Sequence, residues 1–231
     1  MKKIIIILCI FSVSLNQLSA QEFRFGLTAS PVFSWLKIDG ESFSNDGSRV
    51  GFQYGLLFDQ TIGDVERYAF SSGFIINLTG GAYSYPDLTA VDTTTITTEE
   101  SLIARVQYIE IPLTIKLRTN EINYLTYYGM FGVTPGFNIK ARGEYTSTPD
   151  PLLLSNTDLN LREDGNPDEL KYNLINMSLT LGAGLEYAMT ENTAIVAGIF
   201  FQNGFSNVIQ DKFDDNAMRL KQIGIRLGVL F

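Results

Sequence analysis

Alternation with period two runs through most of this chain, and it limits the fold more than any other feature. At the C-terminal end Ile223, Ile225, Leu227, Val229 and Phe231 share one face, and Gln222, Gly224, Arg226 and Gly228 share the other. Successive side chains of a strand point to opposite faces, so this pattern is a strand with one apolar side. The same pattern recurs over residues 23–35, 50–60, 68–78, 107–118, 124–139, 177–188 and 193–205. With the last, that predicts eight strands, most of them reaching the roughly 9–11 residues a membrane-crossing strand needs.

The face opposite the large apolar residues separates a water-soluble barrel from a membrane one. A soluble barrel turns a face rich in Lys, Glu and Thr to water. Here that face is rich in glycine: Gly26, Gly51, Gly55, Gly73, Gly182, Gly184, Gly224 and Gly228 all fall on it, while Gly129 falls on the apolar side. Small residues suit the narrow interior of an eight-stranded barrel, and large apolar ones suit lipid. The connections alternate as well. Those near 38–49, 80–101, 141–174 and 206–218 are long, and those near 61–67, 119–123 and 189–192 are short. Outer-membrane barrels keep short turns on the periplasmic side and long loops outside. Phe23, Phe58, Tyr68, Phe70, Tyr124, Tyr127, Tyr187 and Phe231 gather at the short-turn ends, as an interfacial aromatic girdle would. The expected fold is therefore all-β, an eight-stranded antiparallel up-and-down transmembrane β-barrel.

The first residues read as an export signal. Lys2 and Lys3 precede an apolar run from Ile4 to Val13, and Leu18-Ser19-Ala20 offers a cleavage site between Ala20 and Gln21. The apolar run is shorter than the about 20 residues of a spanning helix. The expected division is a signal peptide over 1–20 and a barrel domain over 21–231, in the cell outer membrane. The one cysteine, Cys9, lies in the signal, so a disulfide or Cys-based metal site has no material. The chain has no histidine. Its net charge of −8 makes it a poor partner for nucleic acid.

The segment Tyr108-Ile109-Glu110-Ile111-Pro112-Leu113-Thr114-Ile115-Lys116 resembles a signature of the PorT-like outer-membrane β-barrel family. The glycine-rich stretch Gly182-Ala183-Gly184-Leu185-Glu186-Tyr187 and the Ala20-Gln21 signal ending are similar to that family too. The resemblance implies an eight-stranded barrel in a bacteroidete-type outer membrane. The family's name-giving member is linked to type IX secretion, and most relatives have no assigned role.

Small outer-membrane barrel enzymes rely on histidine, so no catalytic site, cofactor or metal is expected, and the protein is expected not to be an enzyme. The stretch from Asp158 to Glu169 superficially follows a calcium loop, but Arg162 and Glu163 stand where an Asp/Asn and a Gly are required. The long connections are acid-rich, as ordinary solvated loops are. Strand parity turns Arg24, Asp59, Glu110, Lys116, Glu186 and Arg226 inward. Three cations and three anions can neutralise one another there, so the expected interior is salt-bridged and mostly plugged, with a water-filled channel as the alternative. Phe231, a terminal aromatic closing an alternating strand, reads as an insertion signal. The expected partners are outer-membrane lipid, the insertion machinery and either a secretion complex or a surface ligand. The expected role is a non-enzymatic anchor, binding or secretion-accessory component with acidic surface loops. The alternative is a narrow channel for small solutes or ions.

Overall fold

A computed structural model of the chain describes residues 23–39, 44–63, 67–91, 94–149, 157–162, 171–210 and 217–231. The signal segment with Ala20 and Gln21 lies outside them, as does most of the acidic stretch from Asp158 to Glu169. The strands are β1 (Phe23–Asp39), β2 (Ser44–Gly47), β3 (Arg49–Thr61), β4 (Tyr68–Val91), β5 (Thr94–Glu110), β6 (Leu113–Arg118) and β7 (Leu125–Thr148). They continue as β8 (Thr157–Asn160), β9 (Lys171–Tyr172), β10 (Ile175–Ala188), β11 (Ala194–Gly204), β12 (Ile209–Gln210) and β13 (Ala217–Leu230).

Eight antiparallel wall positions close into a ring. Its order is β1, β3, β4, the β5–β6 pair, β7, β10, β11 and β13, with β13 returning to β1. β5 and β6 occupy one position, both lying between β4 and β7. The chain breaks between them at Ile111-Pro112, where proline has no N–H to give the ladder. The closing seam is tied at its end by Phe231, whose N–H donates to the Phe25 carbonyl at 2.6 Å and whose carbonyl accepts from the Phe25 N–H at 3.1 Å.

The burial pattern inverts that of a water-soluble protein. Leu27, Phe74 and Ile199 are 55%, 54% and 62% exposed, while Asp59 and Glu110 are 2% and 3%. Large apolar groups outside and charges inside fit a hydrocarbon surround. At the short-turn end Phe23, Phe25, Phe58 and Phe74 form a ring chain along the outer wall, with centroids 4.6, 5.4 and 6.1 Å apart in turn. Tyr68, Tyr124, Tyr127, Tyr187 and Phe231 are exposed at the same end.

The interior is filled from bottom to top. Tyr128, Met130, Phe200, Val32, Leu57 and Val196 belong to a lower apolar cluster. Gly184 and Gly198 face each other on β10 and β11, and a Cβ on either would stand 2.7 or 2.6 Å from the Tyr128 hydroxyl. The glycine floor is what lets the tyrosine lie across the bore. A second cluster, around Tyr83, Leu102, Tyr108, Tyr145, Met218 and Leu220, fills the barrel towards the long connections.

Two expectations need correction. Residues 80–91 and 94–101 are strand and not loop. β4 and β5 run on as a paired ladder from Ile75 opposite Glu110 to Val91 opposite Thr94. β7 likewise continues past Ile139 to Thr148, and β8 pairs along it. One wall of the barrel, with β2 and β8 at its margins, thus rises above the rest.

Candidate functional site

The lumen holds two polar layers on either side of the lower apolar cluster. The first lies near the short turns. Inward parity on β1, β3, β6 and β10 brings Arg24, Asp59, Lys116, Arg118 and Glu186 together. Lys116 Nζ donates to Asp59 Oδ2 at 2.7 Å and also pairs with Glu186. Arg24 donates to Glu186 Oε2 at 2.8 Å, and Arg118 to Asp59 Oδ2 at 2.9 Å. The Ser71 hydroxyl donates to the other Asp59 oxygen at 2.5 Å. Three cations therefore share two carboxylates, and Lys116 also sits 4.5 Å from the centre of the Tyr128 ring. Each buried charge has opposite charges around it, the condition under which burial is tolerable. Below this layer a cavity of about 530 Å³ opens at the barrel mouth, lined by Arg24, Arg67, Arg118, Glu121, Glu186 and Glu191 among others.

The second layer lies above the apolar cluster and is made of amides. Glu110 accepts from Asn77 Nδ2 at 2.6 Å and from Gln202 Nε2 at 3.3 Å. Gln53 donates to Gln202 at 3.1 Å, Asn77 to Gln222 at 3.2 Å, and Gln222 to Gln202. These side chains come from β3, β4, β5, β11 and β13, so the bonds cross the bore between opposite walls.

Of the six inward charges expected from parity, Arg24, Asp59, Lys116 and Glu186 meet. Glu110 and Arg226 do not join them, which corrects the expectation of full mutual pairing. Glu110 is too far up the barrel, and neutral amides satisfy it instead. Arg226 donates to Met130 Sδ at 3.0 Å and lies 5.3 Å from the Phe200 ring centre. Among the described residues it makes no salt bridge. Arg118 is the member the sequence reading left out, although it stands two residues beyond Lys116 on the same face. The amides Gln53, Asn77, Gln202 and Gln222 also carry inward parity, but their meeting depends on ring closure, which no local pattern encodes.

A closed antiparallel ring with an apolar exterior and a filled, charged interior defines the class: an outer-membrane β-barrel. The chain belongs to the outer membrane protein beta-barrel domain family, which it matches over residues 17–210. Among solved structures it is similar to Neisserial surface protein A, with a TM-score of 0.44 and 13% identity over 92% of this chain and 98% of that one. The attachment invasion locus protein Ail of Yersinia pestis gives 0.36 and 15%, over 91% and 99%. OprG of Pseudomonas aeruginosa gives 0.38 and 9%, over 93% and 98%. No curated protein matches the chain.

Proposed function

We propose that this protein is a non-enzymatic outer-membrane anchor, exported by cleavage between Ala20 and Gln21, whose plugged barrel holds a raised β-wall outside the cell. The wall would engage a surface ligand or serve as an accessory to a secretion complex. The observation that carries the reading is the pairing of a blocked bore with an overlong wall. Glu110 and four amides tie opposite strands together across the lumen, which disfavours the alternative of a solute channel. Meanwhile β7 continues nine residues beyond Ile139, the last exposed apolar residue of its belt. That is roughly 30 Å of strand at about 3.3 Å per residue. A barrel that only had to sit in a membrane would not need it. The absence of histidine speaks against the known small-barrel enzyme chemistries. The resemblance of the Tyr108–Lys116 segment to PorT-like barrels supports the secretion-accessory form of the role.

The test removes the wall and keeps the barrel. Tyr85 and Glu100 are register partners on β4 and β5, above the core residues Tyr83 and Leu102, so residues 86–99 can be excised and the strands rejoined by an Asn-Gly turn. The shortened protein is expected to insert and to keep heat-modifiable gel migration, but to lose the crosslinks that the intact protein forms on whole cells. An unchanged crosslink pattern would contradict the role given to the wall.

A further inference from the structure

The outward face carries a feature that neither the plug nor the anchor role uses. Below Ile139 the outward residues of β7 are apolar, among them Phe131, Val133 and Phe137. At that point the ladder with β5 slips: Tyr108 faces Asn138, but Gln107 faces Lys140. The extra residue is a β-bulge, which re-aims the side chains that follow. Ile139 and Lys140 are both exposed, and from there the even-numbered residues point outward. The change of phase brings Arg142 out directly opposite Arg105 on β5. Arg49, at the start of β3, joins them. Together Arg49, Arg105, Lys140 and Arg142 line one groove of about 740 Å³, whose lower edge is formed by Phe52 and Leu78.

Like charges placed directly across a ladder are unfavourable. Glu144 meets Arg105 at 2.9 Å, but the two side chains are 43% and 62% exposed and such a pair contributes little. Among the described residues no acid lines the groove, and Arg49 and Lys140 make no salt bridge. This happens in a chain whose net charge is −8. The cations sit where the apolar belt ends, on the side of the long connections, which in outer-membrane barrels is the outer face. Arginine binds phosphate through paired N–H groups, and basic side chains at a membrane surface attract anionic headgroups.

We infer that this groove is a binding site for an anionic lipid of the outer leaflet whose headgroup is a terminal phosphate monoester. The phosphate lies among Arg49, Arg105, Lys140 and Arg142, and an acyl chain runs down over Phe52 and Leu78.

Native mass spectrometry of the purified, folded barrel in detergent tests this, with dioleoyl phosphatidate, dioleoyl phosphatidylcholine and inorganic phosphate as probes. Phosphatidate should bind about tenfold more tightly than phosphatidylcholine, and R105Q/R142Q should lose that preference. K221Q, on β13 at another wall, should keep it. Heat-modifiable migration reports whether each variant is folded, and K140Q replaces the double variant if the latter does not fold. Equal binding of the two lipids, or a folded variant that keeps the preference, would overturn the site. Displacement of phosphatidate by an equal concentration of inorganic phosphate would overturn the lipid as occupant.

Discussion

Lys116 and Glu110 lie on one segment and are both buried, yet their surroundings assign them different weights. The Lys116 ammonium pairs directly with both carboxylates, Asp59 and Glu186. Removing it leaves Asp59 and Glu186 facing each other with only Arg24 and Arg118 in compensation. Breaking a buried pair typically costs about 3–5 kcal/mol, and the two arginines place Lys116→Ala near 3 kcal/mol. Among the described residues Glu110 pairs with amides and with no cation. Glu110→Ala would leave the Asn77 and Gln202 donors short of an acceptor, a loss of about 1–2 kcal/mol. Urea unfolding of the two variants in micelles is expected to rank Lys116→Ala as the more damaging. The opposite order would mean that the amide layer, and not the ionic one, carries the interior. Parity alone identified both residues as inward. What it could not tell is their height in the bore, and height decides which of them finds a counter-charge.

At the level of elements, all eight wall positions were legible because each strand has one face in lipid and one in a packed lumen. That contrast writes period two into the sequence. It fades where the strand leaves the membrane. Residues 94–98 of β5 are Thr, Thr, Ile, Thr and Thr, with no apolar face to read, so the raised part of the β4–β5 ladder looked like a loop. The β7 bulge was illegible for a related reason. A single extra residue shifts the phase, and a reading of fixed period simply stops at Ile139. The bulge makes a distinction that can be measured. Deleting Lys140 removes the extra residue and leaves every later side chain on its present face. Inserting one alanine after Lys140 instead turns Ala141, Gly143 and Tyr145 outward and drives Arg142 and Glu144 inward. Tyr145 and Ala141 belong to the upper apolar cluster, so the insertion should cut the heat-modifiable folded fraction severalfold while the deletion leaves it near the wild-type level. Equal effects would show that the facing of upper β7 is not fixed by its packing.

For the molecule as a whole, the layers act together. Ionic contacts near the short turns, an apolar cluster floored by glycine, a cross-bore amide layer and a second apolar cluster follow one another along the barrel axis. Eight strands leave an interior that side chains can just fill, and this sequence fills it. In the anchor role proposed above, the membrane part is a support, and the raised wall and the outer groove are the surfaces that meet partners. The central claim is thus that the lumen is shut. Single-channel recording of the folded protein in a planar lipid bilayer tests it most directly. The account predicts no steps above the lipid baseline at either polarity, with gel migration proving the protein folded. Stable, reproducible open steps from that same folded protein would contradict it.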